Sequence, residues 1–513
     1  MTDAGVRSSI SRLRTAGLRS GRRPVGQNVG RLGVTLALAF VVLAAGAGYW
    51  QVWRAQELST APDDPAVVAA ARHVVRGQIK DRTGTVLAAS RRDANGEPYR
   101  VYTDPSMSPV IGYASRFFGT AGLEHTYDAQ LTGVLSPDPV QQLLAKFQGN
   151  RADPQDLTLT ISLRLQRAAQ RMLGGDKGAV VMLDPSTGEV LAMVSGPTYD
   201  ASAVANPATA QKAFARLQAD KDKPLLNRAV QGLYVPGSTF KIVTSMAALS
   251  SGAITTSTTY PQQPRAEETG LLVSGFRVRD GHHPFTDDRA LNYPEAVEVS
   301  CNIYFALTGL RTGGARLADW AGRVGFGHQI PFDLPTAVSQ VTNGGGKFGG
   351  GFKDAVEVAN AAYGQAEVLA TPIQMALVAS TVANEGVEIK PQLVKSFSSD
   401  RDGTRTVGPQ QMADVLTPDV AGEIKSAMER AVEGDFGKLF TPGAAVPGIP
   451  TAGKTGTAQL AAGEPHSWFI GFAPVDHPRV AIAVIVENAG HGASRAAPMA
   501  GDLMQLYFET FGK

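Results

Sequence analysis

The sequence predicts an α+β fold in which an antiparallel sheet lies at the edge of a helical cluster, preceded by one membrane-spanning helix. Residues 178–195 alternate in hydrophobicity around a Pro-Ser-Thr-Gly turn, which is typical of a β-hairpin. Residues 479–488 form an apolar strand pattern and 498–511 a helical one, and most of the chain between these two regions has helical signals. An apolar run at 32–50 precedes all of them.

The size and composition of the chain fit a globular protein of more than one domain. Its 513 residues are 43% hydrophobic, which is enough for two or three domains with cores of their own. Cys301 is the single cysteine, so an intrachain disulfide and a four-cysteine zinc site are both excluded.

The N-terminal region predicts a membrane anchor. Residues 1–31 carry seven arginines and one acid, a charge of +6 against a total of +2, so the remaining residues carry −4. Residues 32–50 are nineteen uncharged, mainly apolar residues that end in Tyr49 and Trp50, which is long enough to span a bilayer. Because arginines mark the inner side, we expect a single-pass cell-membrane protein with a cytoplasmic N-terminus and an extracytoplasmic remainder.

Two alternatives explain this region less well. A cleaved signal peptide would use the small residues at 45–47, but the apolar run is longer than a typical signal core, and we favour an uncleaved anchor. Nucleic-acid binding would explain the arginines, but they end at a membrane span and no aromatic residues alternate with them. We therefore expect no nucleic-acid partner.

Local patterns divide the chain into four segments. A strand is predicted at 156–163 and an amphipathic helix at 164–173. The predicted segments are a cytoplasmic basic tail at 1–31, a transmembrane helix at 32–50, an N-terminal α+β domain at 51–175 and a C-terminal domain at 176–513.

Ser238 and Lys241 form an S-x-x-K motif at the start of a predicted helix, which follows a break at Pro236 and Gly237 and ends at Gly252. The apolar residues of this helix cover nearly its whole circumference, so we expect it to be buried with Lys241 as its only charge. Residues three apart share one helical face, and a desolvated lysine loses its proton readily enough to act as a base for the serine. For an isolated S-x-x-K, however, an N-cap serine and a lysine that extends to solvent are the favoured interpretation.

Residues 448–459 contain the K-T-G motif Lys454-Thr455-Gly456 and also match the phosphate-binding pattern G-x-x-x-x-G-K-[ST]. A phosphate loop needs a strand before it and a helix after it, but prolines precede this segment and glycines follow it. We therefore reject the nucleotide site.

Three short motifs together carry the prediction of function. Ser300-Cys301-Asn302 is a polar break between two apolar helical stretches, and alone it fits an ordinary helix cap. Each motif occurs once, in the order S-x-x-K, S-x-N and K-T-G, with separations of 62 and 154 positions. This set is typical of penicillin-recognising serine enzymes.

Over about residues 67–510 the chain resembles a class B penicillin-binding protein. Segments 76–84 (RGQIKDRTG) and 119–128 (GTAGLEHTYD) are similar to its N-terminal elements, and LDPSTGEVLAM, AYGQAEVLATPIQMA and WFIGFAP to its transpeptidase domain. The resemblance implies an elongated α+β pedestal at 51–175 and a penicillin-binding transpeptidase (serine β-lactamase-like) fold at 176–513.

The resemblance also implies a peptidoglycan D,D-transpeptidase that cross-links stem peptides outside the membrane and is acylated by β-lactams. The implied catalytic residues are Ser238 as nucleophile, Lys241 as base, Ser300 as proton relay to the leaving amine, Asn302 as the residue that binds the substrate backbone and orients Lys241, and Lys454 as a source of positive field. The implied substrate-binding residues are Thr455, on the carboxylate, Gly456 and Thr457, and the oxyanion hole would consist of the backbone N–H groups of Ser238 and Thr457.

Partners and cofactors follow from the same resemblance. A membrane-embedded glycan polymerase is the expected partner, and we expect no cofactor. His282-His283 near Asp287 and Asp288 suggest a metal, but without a third spaced ligand a polar loop is favoured, so we expect none. The alternative activities are a D,D-carboxypeptidase or β-lactamase-type hydrolase on the same serine and, in another class, a non-catalytic β-lactam sensor.

Overall fold

The computed structural model of the chain describes residues 33–36, 38–43, 75–133, 153–281, 283, 289–459 and 463–512. The chain divides into two units, Met1–Asp64 and Pro65–Lys513. In the first unit the described residues are helical and exposed, with Phe40 at 71%. Among the described residues, no helix combines the length and the apolar composition that a membrane crossing requires. The predicted span at 32–50 lies partly outside those residues.

The second unit is a mixed α and β structure. Its strands, in chain order, are β1 Ile79–Lys80, β2 Val86–Arg92, β3 Pro98–Tyr102, β4 Ala114–Ser115, β5 Gly119–Thr120, β6 Asp156–Leu159, β7 Gly178–Leu183, β8 Val190–Gly196, β9 Leu271–Val273, β10 Phe276–Val278, β11 Val387–Ile389, β12 Val394–Ser399, β13 Gly403–Thr406, β14 Gln411–Asp414, β15 Ala452–Ala458, β16 His466–Ala473 and β17 Val480–Val486. Its α-helices are α1 Ser108–Ile111, α2 Leu123–Thr126, α3 Asp128–Thr132, α4 Leu163–Leu173, α5 Ala201–Ala205, α6 Ala210–Ala219, α7 Arg228–Gln231, α8 Lys241–Ser250, α9 Gln263–Thr269, α10 Tyr293–Glu298, α11 Asn302–Thr312, α12 Gly314–Arg323, α13 Ala355–Ala361, α14 Pro372–Ala383, α15 Pro418–Glu433, α16 Gly437–Phe440 and α17 Ala496–Phe511.

A five-stranded antiparallel sheet, in the order β15-β16-β17-β7-β8, forms the centre of the C-terminal part. Every residue of β7 and β17 is buried, because alternate side chains enter two separate apolar cores. Val180 pairs with Val484 in one core, and Val181 pairs with Ala483 in the other. Burying each side chain of the size of valine contributes about 1.5–3 kcal/mol. Because both faces are buried, a one-residue slip would move each side chain into the opposite core, whose packing does not match it.

Helices cover both faces of this sheet. Helices α4 and α17 pack on one face and α14 on the other. The predicted antiparallel sheet and helical cluster are confirmed, but the sheet lies between helical layers and not at the edge of a cluster. The predicted strand at 156–163 is shorter in the structure, because β6 ends at Leu159 and α4 already begins at Leu163.

A second sheet, in the order β13-β12-β6-β1-β2-β3, joins strands from the N-terminal region with the hairpin β12–β13. A buried ion-pair network stabilises this region: Glu124 accepts from Arg100 Nε at 2.6 Å and from Arg76 Nε at 2.7 Å. The side chain of Glu124 is fully buried and that of Arg100 is 1% exposed. Two segments that the sequence analysis singled out, 76–84 and 119–128, therefore meet through Arg76 and Glu124.

Candidate active site

Ser238 lies on a tight turn that packs against the edge strand β15. The helix predicted from Ser238 to Gly252 begins with a 3-10 turn, Gly237–Phe240, and continues as α8 from Lys241. Gly237 has a φ of 55°, and a Cβ at this position would lie 2.6 Å from the carbonyl oxygen of Thr457. Only glycine therefore lets this turn approach β15 so closely, which leaves Ser238 half-buried between the turn and the strand.

Lys241 joins the first motif to the second. Its Nζ donates to Ser300 O at 2.5 Å, to Asn302 Oδ1 at 2.8 Å and to Ser300 Oγ at 3.2 Å. The side chain is fully buried, and this burial lowers the pKa of Lys241 from 10.5 to about 8, although Asp280 and Cys301 act in the opposite direction. A neutral amine is therefore accessible near physiological pH.

The S-x-N motif forms the break between α10 and α11 that the sequence predicts. Ser300 has a φ of 62°, an uncommon conformation for a residue with a side chain, and the chain then enters α11 at Asn302. Cys301 caps this helix, because its Sγ accepts from Tyr304 N at 3.3 Å. This turn places the Ser300 hydroxyl and the Asn302 amide oxygen within hydrogen-bond distance of the same amine, Lys241 Nζ.

The K-T-G motif lies within strand β15. This agrees with the rejection of a nucleotide site, because a phosphate loop would lie between a strand and a helix. Lys454 is fully buried in the middle of β15 and pairs with Ile470 of β16. Its Nζ donates to Thr455 O at 3.2 Å. Burial and the positive charge of Lys241 both hold the pKa of Lys454 well below its usual range. Two amines that share one buried region disfavour each other's protonation, so their charge states are coupled.

The outer edge of β15 faces the serine turn. A Cβ on Gly456 would lie 2.6 Å from Pro236 O, so this glycine allows the close approach from the strand side. The carbonyl oxygen of Thr457 accepts from Gln365 Nε2 at 3.5 Å, on the side away from β16. Because the N–H and C=O of one residue in an antiparallel strand point to the same side, the Thr457 N–H also faces the turn that carries Ser238.

Asp280 is a contributor to this site that the sequence analysis missed. Its carboxylate accepts from the backbone N–H of Asn302 and, at 3.2 Å, from that of Ile303. It therefore holds the first turn of α11, where the orphan N–H groups and the helix dipole favour a negative charge. Because Asp280 and Asn302 are 22 positions apart, no local sequence pattern connects them.

The polar loop around His283 is only partly described. His282, Asp287 and Asp288 lie outside the described residues. His283 is buried, and its Nδ1 lies 2.7 Å from Glu267 Oε1. Glu267, His283 and Cys301 are a group of side chains whose ligand atoms could hold a metal ion.

The arrangement fits acyl transfer by an activated serine. It combines a half-buried hydroxyl at Ser238, a buried amine of lowered pKa at Lys241, and N–H groups beside the serine where an oxyanion would form.

Family models of known proteins match two regions of the chain. The family model for the penicillin binding protein transpeptidase domain matches residues 178–505, and the model for the penicillin binding protein A dimerisation domain matches residues 76–156.

Curated relatives and solved structures agree with these matches. The chain is 34% identical over 490 residues to the peptidoglycan D,D-transpeptidase PbpA of Mycolicibacterium smegmatis, covering 91% of this chain and 96% of that protein. It is 31% identical over 440 residues to the peptidoglycan D,D-transpeptidase MrdA of Escherichia coli K12, covering 76% of this chain and 64% of that protein. Its structure is similar to that of penicillin-binding protein A from M. tuberculosis in a penicillin G acyl-enzyme complex, with a TM-score of 0.73. The two chains are 32% identical, and the match covers 85% of this chain and 100% of that one.

Proposed function

This chain belongs to the class B penicillin-binding proteins, and from that premise we propose which of its residues perform each step of the reaction. The chain is a serine-type peptidoglycan D,D-transpeptidase that forms an acyl-enzyme. The residue roles that follow rest on the contacts of Lys241, which bring the S-x-x-K and S-x-N motifs onto one buried amine.

Acylation begins at Ser238. Its Oγ attacks the carbonyl carbon of the penultimate D-Ala of a stem peptide while neutral Lys241 takes the hydroxyl proton. The negative charge that develops on the carbonyl oxygen is stabilised by the N–H groups of Ser238 and Thr457. Each donor of this kind contributes roughly 3 kcal/mol to transition-state stabilisation in comparable sites.

The proton then moves to the leaving group. Ser300 Oγ lies 3.2 Å from Lys241 Nζ, so it can pass the proton from the amine to the nitrogen of the terminal D-Ala. The C–N bond breaks, D-Ala leaves, and the ester on Ser238 remains. Asn302 holds Lys241 through its Oδ1, and its Nδ2 donates one hydrogen to Asp280 Oδ1 at 3.4 Å, so the second amide hydrogen would serve the substrate backbone.

Substrate binding sets the charge on the two lysines. A terminal carboxylate beside Thr455, with Gly456 and Thr457 along the strand, raises the pKa of nearby Lys454 and so favours its charged form. A charged Lys454 in turn favours a neutral Lys241, because the two ammonium groups repel each other. The substrate therefore promotes the protonation state that acylation requires.

The ester is resolved by an amine of a second stem peptide, which takes up the acyl group as the proton returns to Ser238 by the reverse route. A β-lactam enters the same steps, but its amide nitrogen stays attached after ring opening and the adduct persists.

We extend the proposal to the whole chain. A cytoplasmic tail at 1–31, a transmembrane helix at 32–50 and a pedestal at 51–175 would hold the transpeptidase domain at 176–513 outside the cell membrane. The apolar run of nineteen residues and the arginines before it support this topology. Glycan polymerisation would come from a membrane-embedded partner that contacts the span and the pedestal.

Intact mass of the full chain in detergent, followed over hours after addition of benzylpenicillin, tests the assignment of Ser238. We expect a stable adduct on the wild type and none on Ser238→Ala. Ser245→Ala serves as the matched control, because Ser245 lies on α8 and its hydroxyl donates to the backbone carbonyl of Lys241 and not to the Lys241 amine.

Other outcomes distinguish the alternatives. An adduct that forms and disappears within minutes supports a hydrolase on the same serine. An adduct that persists in Ser238→Ala contradicts the assignment of the nucleophile. Release of D-Ala with transfer to an added amine separates the transpeptidase from a non-catalytic β-lactam sensor, which would be acylated without turnover.

A further inference from the structure

An exposed histidine lies beside the strand that carries the K-T-G motif. His491 belongs to the loop 487–495, which connects β17 to α17. Its Nδ1 lies 3.5 Å from the hydroxyl oxygen of Thr457, on β15. The backbone N–H of Gly492 donates to the same oxygen at 3.4 Å. Two neighbouring residues of the loop therefore converge on one threonine of the strand that would bind the substrate.

Hydrogen bonds to β16 fix this part of the loop. Ser467 of β16 is fully buried and pairs with Thr457 in the ladder between β15 and β16. Its hydroxyl donates to His491 O at 2.8 Å and accepts from Ala496 N at 3.1 Å. The backbone of His491 is therefore anchored next to Thr457, although its imidazole is exposed.

A glycine allows the loop to approach the two strands closely. A Cβ on Gly492 would lie 2.6 Å from Trp468 O and 2.7 Å from Gly456 O. A side chain at this position would push the loop away from β15 and separate His491 from Thr457.

The contacts of Thr457 decide where its hydroxyl proton points. A threonine hydroxyl has two lone pairs and one proton, and the Gly492 N–H occupies one of the lone pairs. When the Nδ1–H of His491 donates to the other, the hydroxyl proton is left for a third group. Residues two apart in a strand share a face, so Thr455 and Thr457 present their hydroxyls on the same side of β15.

We propose that His491 positions the Thr457 hydroxyl to bind the terminal carboxylate of the stem peptide, an inference that rests on the proposed function. The imidazole donates to Thr457 Oγ1, and Oγ1 donates its proton to the carboxylate beside Thr455. A bound carboxylate favours this arrangement, because it accepts the proton that would otherwise go to Nδ1. A hydroxyl that itself accepts hydrogen bonds is also a stronger donor. His491 is thus a positioning residue that selects substrates with an acidic terminus.

Two matched substrates test this proposal. Benzoyl-D-alanyl thioesters of thioglycolate and of thioglycolamide differ only in that the leaving group ends in a carboxylate or in a primary amide. Turnover by the full chain in detergent is followed by release of the thiol. In His491→Ala we expect KM for the carboxylate substrate to rise about three- to tenfold, the value of one hydrogen bond, with little change in kcat. With the amide substrate neither constant should change.

Variants separate this contact from a structural role. His491→Asn keeps an N–H donor near the position of Nδ1 and should recover part of the discrimination. In a Thr457→Ala background, His491→Ala should cause no further loss, because the hydroxyl on which it acts is gone. The matched control is His477→Ala, which alters an exposed histidine in the turn between β16 and β17, at the other end of the strands from Thr457. It should behave as the wild type, and the unfolding temperature of every variant is measured.

Three results would overturn the proposal. The first is an unchanged KM of His491→Ala for the carboxylate substrate. The second is an equal loss with both substrates, or a loss in kcat, which would mean that His491 supports the oxyanion hole or the fold and not carboxylate binding. The third is a full further loss from His491→Ala in the Thr457→Ala background. Acylation of the wild type tests the proposed function, whereas the difference between the two thioesters tests the role of His491, so each can fail without the other.

Discussion

The pH dependence of acylation tests the assignment of Lys241 as the base. Burial lowers the pKa of this amine from 10.5 to about 8. The difference corresponds to about 3 kcal/mol of lost preference for the charged form. At pH 7 about one amine in ten is then neutral, compared with about one in 3,000 for an ordinary lysine. The acylation rate of the free enzyme should therefore rise about tenfold for each pH unit below 8 and reach a plateau above it.

The assay is the second-order rate constant for acylation of the full chain by benzylpenicillin, measured by quenched intact-mass time courses from about pH 6 to about pH 10. The unfolding temperature at each pH is the control, because it shows whether the fold persists over the range. A rate that is independent of pH between 6 and 8 would refute the reasoning. So would a rate that still rises at pH 10 without a plateau, since that is the behaviour of a lysine with an ordinary pKa.

Three further predictions concern the framework of the site and the fold. Gly237→Ala should lower both the stability of the fold and the acylation rate. With a side chain, a φ of 55° costs about 1–2 kcal/mol, and the added methyl group would also clash with β15. The control Gly252→Ala has a φ of 67° but open space around it, so it should lower stability alone. Equal acylation rates in the two variants would contradict this explanation. Burial raises the pKa of Glu388 from 4.5, its value in the unfolded chain, to about 7. The free energy of unfolding should therefore fall by up to about 3 kcal/mol as the pH rises from 4.5 to 7. In denaturant unfolding, Glu388→Gln should therefore match the wild type near pH 4 and exceed it near pH 8, and a constant difference would contradict the assignment. Arg100→Met should reduce the free energy of unfolding by about 3–5 kcal/mol, because it removes one partner of a buried carboxylate. The control Arg323→Met breaks an exposed pair and should cost no more than about 0.5 kcal/mol, so comparable losses in the two variants would contradict the role of burial.

Local patterns predicted the elements that depend on neighbouring residues. The hairpin at 178–195 corresponds to β7 and β8, the strand at 479–488 to β17, and the closing helix at 498–511 to α17. Alternation and helical periodicity are properties of a short stretch, so they are visible before the chain is folded. The break at Ser300 was predicted for the same reason.

Long-range arrangement was less accessible. Pro236 and Gly237 were predicted as a break before a helix that starts at Ser238, but the sequence does not reveal that β15 lies against this turn and requires a close backbone approach. The sequence also did not predict that helices cover both faces of the central sheet. Uniformly apolar strands such as β17 are compatible with either one or two covering layers.

The sequence by itself determined the family, the enzyme class and the order of the three motifs, because these depend on residue types at fixed spacings along the chain. The sequence also predicted a buried Lys241 of lowered pKa, but only the tertiary structure decided which atoms of Ser300 and Asn302 its amine contacts and that the distant Asp280 holds the same turn. It also brought together Glu267, His283 and Cys301, which no spacing connects. The physical reason is that desolvation and donor convergence arise from packing between distant segments, and a residue's partners across the core are not encoded in its neighbours along the chain.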